Sequence, residues 1–223
     1  MLSFDLIIWD CDGCLVDSEI LSCSIAARYL TAWGYPISTT DFIDRFAGRG
    51  FDAIGPIVEV ESGRPFASFD MSGFRQEVMR SFTEELKEIN GVAKAVAKLS
   101  AIDKCIASGS TVERNTHALK KVGLYPSFED VIYCSYDVPK GKPAPDIFLY
   151  AAEKHDVSPA RCLVIEDSVH GVQAARAAGM RVFAFLGASH ITPAWRTRVQ
   201  GAKPDVVFDD MSLLPQLVMT YNA

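Results

Sequence analysis

The amino-acid sequence predicts an α/β fold, with a doubly wound parallel sheet as its core and an all-helical cap domain inserted into it. Short apolar runs recur along the 223-residue chain. In the second half, segments with helical periodicity separate these runs, which is the alternation expected of βαβ units. Four consecutive helical segments near the N-terminus break the alternation, and these would form the inserted domain.

Six segments are typical of buried strands because they are short, apolar and rich in residues that favour β structure. The first, residues 4–9, ends abruptly in the acidic sequence Asp10-Cys11-Asp12-Gly13. The others cover residues 101–107, 131–134, 161–165, 180–185 and 205–208. Helices would connect these strands and cover both faces of the sheet.

Start and stop signals define three of the connecting helices. Residues 110–113, Ser-Thr-Val-Glu, form a capping box, and the helix that follows would end at Gly123. Pro145 suits the first turn of a second helix because its fixed φ is helical. Ser168 can cap a third helix, which would end at Gly179.

Residues 15–86 are predicted to form the inserted cap domain, and residues 1–14 and 87–223 the α/β core. Apolar residues recur at helical spacing throughout the insertion, and no run in it resembles a strand. Its helical segments cover approximately residues 21–33, 39–46, 51–61 and 67–88. Residues 12–18 and 90–91 are the candidate junctions between the two domains.

The composition is that of a globular protein, with 49% hydrophobic and 22% charged residues. The formal net charge of −6 provides no basic field that would attract nucleic acid or an anionic membrane. No apolar run approaches the roughly 18 residues of a membrane-spanning helix. The N-terminus lacks the pattern of a signal peptide, and a cytoplasmic location is therefore expected.

Six cysteines are present, and Cys11 and Cys14 form a C-x-x-C pair. No second pair of cysteines or histidines accompanies it to complete a zinc site. Cys105, Cys134 and Cys162 lie in or beside apolar runs, where a thiol packs as a small apolar group. We therefore expect buried, free thiols.

Polar residues follow four of the predicted strands, at the end of three of them and just beyond the third strand in the case of Lys142. They are Asp10 and Asp12, Ser108 and Gly109, Lys142, and Glu166 with Asp167. Ligands of an open parallel sheet bind beyond the carboxyl ends of its strands. These residues are therefore predicted to gather in one crevice.

Four carboxylates would lie close together in this crevice and repel one another unless a cation lay among them. They belong to Asp10, Asp12, Glu166 and Asp167. Hard oxygen ligands without histidine or cysteine favour Mg²⁺, which commonly binds a phosphate oxygen of the substrate as well.

A phosphoryl group would be bound by Lys142 and by Ser108, whose hydroxyl and backbone N–H lie beside the N–H of Gly109 near a helix N-terminus. Asp10 is the candidate nucleophile, which would form an aspartyl phosphate. Asp12 is the candidate acid/base, which would protonate the leaving oxygen and then activate water. The sequence thus predicts a Mg²⁺-dependent phosphatase.

The same residues resemble the four motifs of the haloacid dehalogenase superfamily. The matching segments are residues 10–19 (DCDGCLVDSE), 107–110 (ASGS), 141–146 (GKPAPD) and 164–171 (VIEDSVHG). The chain is similar to the branch that holds β-phosphoglucomutase and the sugar-phosphate phosphatases. The resemblance implies a Rossmann-like core with a helical cap, and Mg²⁺ held by the Asp10 side chain, the Asp12 carbonyl and Asp167. Glu166 would lie nearby.

Particular residues disfavour other reactions of the superfamily. Dehalogenases lack the second aspartate, Asp12, and phosphonatases need a lysine near the start of the cap, whereas Lys87 is the first lysine after Asp12. Mutases carry a histidine shortly after the first motif, where residues 20–22 are Ile-Leu-Ser, and an arginine where Phe51 stands. A sugar-phosphate mutase and a phosphorylatable switch or binding protein stay as alternatives.

The cap would select the substrate, a small phosphorylated metabolite such as a sugar or sugar-acid phosphate. Arg49, in the loop of residues 46–50, is the candidate recognition residue, helped by Arg45. Three aromatic residues are expected to pack the cap: Tyr29, Trp33 and Tyr35. The histidines are expected to be structural or surface residues: His117, His155, His170 and His190. A monomer or a weak homodimer is expected.

Overall fold

The computed structural model describes residues 3–221. Six strands lie in this range: β1 (Leu6–Trp9), β2 (Asp103–Ser108), β3 (Ile132–Cys134), β4 (Cys162–Glu166), β5 (Arg181–Phe185) and β6 (Val206–Phe208). They form one sheet in the order β3-β2-β1-β4-β5-β6, and every neighbouring pair is parallel. The predicted α/β fold with a doubly wound parallel sheet is confirmed.

Ten α-helices lie in the described range. They are α1 (Glu19–Trp33), α2 (Thr39–Phe46), α3 (Phe51–Ser62), α4 (Met71–Glu85), α5 (Val92–Lys98), α6 (Val112–Val122), α7 (Asp146–Lys154), α8 (Val169–Ala177), α9 (Pro193–Gly201) and α10 (Leu214–Thr220). As predicted, α1 to α4 follow one another directly after β1, with no strand of the described sheet among them.

β1 lies near the centre of the sheet, and its four residues are all buried. This apolar strand needs cover on both faces, which the surrounding helices provide. From β1 the chain builds β2 and β3 on one side and then crosses to β4, β5 and β6 on the other. Such a reversal opens a crevice beyond the carboxyl ends of β1 and β4.

Helices begin at residues whose side chains satisfy free backbone N–H groups. Ser168 Oγ accepts a backbone N–H of the first turn of α8 at 3.0 Å, as predicted. The capping box predicted for α6 is one residue too early, because the cap is Thr111, whose Oγ1 accepts from Arg114 N at 3.2 Å. Ser110 belongs to the preceding loop, since its N–H donates to Ser108 Oγ at 3.0 Å.

Two short segments that pair with each other connect the inserted helices to the core. Val16 forms an antiparallel bridge with Glu88. The N–H of Asp17 donates to the carbonyl of Lys87 at 3.0 Å. The division of the chain at residues 15–86 stays a prediction.

Aromatic side chains pack the inserted helices together, as expected. The ring of Trp33 contacts those of Phe66 and Phe69 at centroid distances of 5.8 and 6.2 Å. Tyr29 lies 6.3 Å from Phe69, and Tyr35 is buried. These aromatic contacts therefore stabilise the packing of the inserted helices.

All six cysteines are buried and free, as predicted. Burial raises the pKa of Cys11 and of Cys14, so both thiols stay protonated and unreactive. Among residues 3–221, no helix combines the length and the apolar character needed to cross a bilayer.

Candidate active site

The segments that follow β1, β2, β3 and β4 border one cavity of about 440 Å³. All of the predicted site residues line it: Asp10, Asp12, Arg49, Ser108, Gly109, Lys142, Glu166 and Asp167. The carboxyl edge of the sheet forms the floor, and the inserted helices contribute Phe46, Phe51 and Phe74 to the lining. The cavity therefore lies between the sheet and the insertion.

Lys142 lies between two carboxylates. Its Nζ donates to Asp10 Oδ1 at 2.6 Å and to Glu166 Oε1 at 2.7 Å. Burial lowers the pKa of Lys142, but the charges of Asp10 and Glu166 outweigh this effect and raise it, so the ammonium stays charged. Lys142 thereby fixes one oxygen of Asp10 and leaves the other without a hydrogen bond from the described residues.

Hydrogen bonds within the site hold Glu166. Its Oε2 accepts from Asp167 N at 2.8 Å, and from Ser168 N and Oγ at 2.7 and 2.9 Å. Its Oε1 is occupied by Lys142. These contacts favour Glu166 as the residue that positions Lys142 and the start of α8, and its direct binding of a metal stays a prediction.

Asp167 is buried, and its Oδ2 makes no hydrogen bond within residues 3–221. His190 Nε2 lies 3.2 Å from this oxygen, but the ring is not oriented to form a hydrogen bond. Gly13 packs against the same oxygen, since a Cβ there would lie 1.8 Å from it. Trp195 Nε1 donates to the backbone carbonyl of Asp167 at 2.8 Å and fixes its place.

The acidic residues of the cavity repel one another. Burial raises the pKa of Asp10 well above the usual aspartate value; Lys142 opposes this shift, and Glu166 and Asp167 add to it. Burial also raises the pKa of Asp167, and the charges of Glu166 and Glu19 add to that shift. The site therefore contains more acidic groups than Lys142 can neutralise.

These observations fit a divalent cation. Asp10 and Asp167 would hold it, because each is buried and has an oxygen without a hydrogen-bond partner in the described chain. Across residues 3–221, no three acidic, histidine or cysteine side chains are close enough to enclose an ion by themselves. Mg²⁺ needs no such cage, since it commonly binds one or two carboxylates and keeps several waters.

Asp12 is fixed through one of its two oxygens. Ser18 Oγ donates to Asp12 Oδ1, and Arg114 Nη2 lies 3.4 Å from the same oxygen. Glu19 also borders the cavity. Burial raises the pKa of Glu19, and the charge of Asp12 adds to the shift.

Ser108 is buried at the end of β2. Its hydroxyl donates to Asn115 Oδ1 at 3.3 Å and accepts from Ser110 N at 3.0 Å. A Cβ at Gly109 would meet no atom within 4 Å, so the backbone there borders open space. This segment leads into α6 and fits the predicted cradle for a phosphoryl group.

Arg49 and Arg45 differ in their surroundings. Arg49 is exposed at the rim of the cavity and forms no ion pair within the described range. Arg45 Nη2 instead binds Glu61 Oε1 at 2.7 Å, and its Nη1 donates to Tyr35 Oη at 2.6 Å. Arg45 does not line the cavity and contacts Glu61 and Tyr35 instead, and the roles predicted for Arg49 and Arg45 in recognition stay predictions.

Several cavity residues were not predicted. His190 was expected to be structural, yet it lies fully buried beside Asp167, and burial lowers its pKa so that the ring is neutral. His190 follows β5. Applying to β5 the expectation that site residues lie beyond the carboxyl ends of the strands would have indicated it. Arg114 had no comparable signal, whereas Glu19 ends the first matching segment, residues 10–19, although no role was predicted for it. Of the other histidines, His170 also lines the cavity. His117 and His155 do not border it and contact Thr83 and Tyr133, respectively.

Comparisons with known proteins agree with this architecture. A family model described as haloacid dehalogenase-like hydrolase matches residues 7–185. The 6-phosphogluconate phosphatase of Escherichia coli (strain K12) is 29% identical over 218 residues, which are 97% of this chain and 96% of that protein. The phosphorylated carbohydrates phosphatase of Thermotoga maritima is 30% identical over 186 residues, with 79% of this chain and 82% of that protein covered.

A crystal structure of a haloacid dehalogenase-like protein from Agrobacterium tumefaciens has a similar fold. Its TM-score is 0.89 and it is 42% identical, with 96% of this chain and 97% of that chain covered. The likeness spans both the sheet and the inserted helices, and residues 7–185 include all four motifs. The chain therefore belongs to the haloacid dehalogenase-like hydrolases.

Proposed function

We propose that the protein is a Mg²⁺-dependent phosphatase that hydrolyses a small phosphate monoester. The observation that carries this proposal is the contact of Lys142 with Asp10, 2.6 Å long, next to the unpartnered oxygen of Asp167. A nucleophile, a fixed cation and a carboxylate that can bind a metal thereby meet at one point. The names of the two phosphatase relatives support the same activity.

In the first step, a carboxylate oxygen of Asp10 attacks phosphorus and the bond from phosphorus to the ester oxygen breaks. Lys142 holds Oδ1 of Asp10 in place, and its charge stabilises the negative oxygens of the transferred group. The hydroxyl of Ser108 and the backbone at Gly109 would bind the same group. The product of this step is an aspartyl phosphate on Asp10.

Asp12 would serve both steps of the reaction. It first donates a proton to the leaving alcohol, and it then takes a proton from the water that attacks the aspartyl phosphate. That attack releases inorganic phosphate and restores the Asp10 carboxylate. Mg²⁺, when bound, would neutralise the acidic groups and the phosphoryl oxygens as they approach each other.

We propose a sugar or sugar-acid phosphate as the substrate. The lining of the cavity includes the aromatic residues Phe46, Phe51 and Phe74 and the exposed Arg49. Aromatic rings can pack against the C–H face of a sugar, and an arginine can bind its hydroxyl or carboxylate groups. The two relatives act, by their names, on 6-phosphogluconate and on phosphorylated carbohydrates.

Two alternatives have less support. A mutase must bind a second phosphate, and Phe51 stands where the related mutases carry an arginine. A phosphorylatable switch would keep its aspartyl phosphate, whereas Asp12 lies in the same cavity and can activate water.

The test is a panel of phosphorylated metabolites incubated with the protein and Mg²⁺, with released phosphate as the readout. We expect release from sugar or sugar-acid phosphates, its loss in Asp10→Asn, and its retention in the matched control Asp209→Asn, which changes an exposed aspartate. Full activity of Asp10→Asn would exclude Asp10 as the nucleophile. Isomer interconversion without free phosphate would favour a mutase, and a stable phosphoprotein would favour a switch.

A further inference from the structure

Arg114 connects three parts of the molecule around Asp12. Its Nη2 lies 3.4 Å from Asp12 Oδ1 and 3.3 Å from Ser22 Oγ on α1. Its guanidinium carbon lies 4.9 Å from the centre of the Phe82 ring on α4. One side chain of α6 thus contacts the loop after β1 and two of the inserted helices.

The guanidinium of Arg114 lies in a partly buried, acidic environment. Its Nε is buried and has no hydrogen-bond partner within residues 3–221, whereas its Nη2 contacts Asp12 and Ser22. Burial lowers the pKa of Arg114, but the charges of Asp12 and Glu19 outweigh this effect and raise it. Arg114 therefore stays charged beside the two carboxyl groups.

The two side chains that contact Asp12 both approach the same oxygen. Ser18 Oγ donates to Oδ1, and Arg114 Nη2 approaches Oδ1, while neither contacts Oδ2. A protonated carboxyl has one oxygen that accepts hydrogen bonds and one that carries the proton. Since Ser18 and Arg114 occupy Oδ1, Oδ2 is the oxygen of Asp12 that is left to face a bound substrate.

We infer that Arg114 is a positioning residue that directs Oδ2 of Asp12 towards the leaving oxygen of the substrate. This inference rests on the proposed phosphatase function. Arg114 acts through Asp12 and does not itself touch the reacting atoms. Because it also contacts Ser22 and Phe82, Arg114 connects Asp12 to α1 and α4.

The identity of the leaving alcohol distinguishes this role from a general structural one. The weakly acidic alcohol of benzyl phosphate needs a proton from Asp12, whereas p-nitrophenol leaves without one. When phosphoryl transfer to Asp10 is irreversible, kcat/KM depends only on the steps up to that transfer. The later hydrolysis of the aspartyl phosphate does not affect it. The two phosphates are similar in size, so a damaged cavity would affect both alike.

We expect Arg114→Gln to lower kcat/KM about tenfold to a hundredfold for benzyl phosphate and at most about threefold for p-nitrophenyl phosphate. Arg114→Lys keeps the charge and should recover part of the benzyl phosphate rate. Lys121→Gln is the matched control, because it removes an exposed charge from the same helix and should change neither value.

If Arg114→Gln lowered kcat/KM equally for the two phosphates, or did not lower it for benzyl phosphate, the inference would be overturned. Should Arg114→Gln fail to fold, the ratio of the two losses in Arg114→Lys decides in the same way. The wild-type protein could also release no phosphate from these two compounds and none from any sugar phosphate. In that case the proposed function fails, and this inference fails with it.

Discussion

Gly13 and Asp167 pack so closely that a Cβ atom on residue 13 would lie 1.8 Å from Asp167 Oδ2. Gly13 also has a φ of 80°, which other residues adopt only with strain. We therefore expect Gly13→Ala to displace Asp167 or the loop that carries Asp12. A displacement of about 1 Å can cost about a hundredfold in kcat/KM.

Steady-state kinetics and thermal unfolding of Gly13→Ala check this expectation. The matched control is Gly201→Ala, where a Cβ meets no atom within 4 Å. The control should keep the wild-type kcat/KM. Wild-type activity in Gly13→Ala would show that the contact with Asp167 does not constrain the site.

The buried acids predict an unusual pH dependence of stability in the metal-free protein. Burial holds the pKa of Asp10 and of Asp167 above the unfolded value of 3.8. Between the unfolded and folded values, the folded state binds more protons, so its stability falls as the pH rises. The protein treated with a chelator should therefore be more stable at about pH 5 than at about pH 8.

Asp167→Asn tests the origin of this effect. The amide cannot ionise, so the loss of stability with rising pH should become smaller. In the metal-free protein near neutral pH, we expect a gain of about 1–3 kcal/mol in the free energy of unfolding. Mg²⁺ should stabilise the wild type and not the variant; an equal effect of Mg²⁺ on both would argue against Asp167 as a ligand.

Arg49 should affect the choice of substrate more than the chemical step. Since it is exposed at the rim and forms no ion pair within the described residues, its removal leaves no buried charge behind. We expect Arg49→Ala to lower kcat/KM about tenfold for a sugar-acid phosphate and much less for p-nitrophenyl phosphate. Arg75→Ala, an exposed arginine on α4, is the control. Unchanged kcat/KM across all substrates would exclude a role in recognition.

The site floor was predictable because its residues lie at or beyond the carboxyl ends of buried strands. Asp10 and Glu166 are examples, since parallel strands bring their carboxyl ends to the same edge. Arg114 lies in a helix and reaches Asp12 only through tertiary packing, so no local pattern indicated it. The helix α9 was missed because Trp195 and Val199 are its only buried residues and give no clear period.

The inserted helices also contact the core at Asp44 on α2. Asp44 Oδ1 accepts from the hydroxyl of Thr192, which caps α9. Arg198 donates to the backbone carbonyl of Asp44, and its Nη2 lies 3.7 Å from Asp44 Oδ1. These contacts favour the position in which the inserted helices cover the cavity.

Asp44→Ala should weaken this attachment. Because cover over the cavity contributes to substrate binding, we expect KM to rise about tenfold, the equivalent of about 1.4 kcal/mol, with a smaller change in kcat. Asp44→Asn keeps an acceptor for Thr192 and should have an intermediate KM. Protease cleavage near Val16 and Glu88, where the two connecting segments pair, should become faster in the alanine variant. An unchanged KM together with unchanged cleavage would show that Asp44 does not hold the inserted helices over the site.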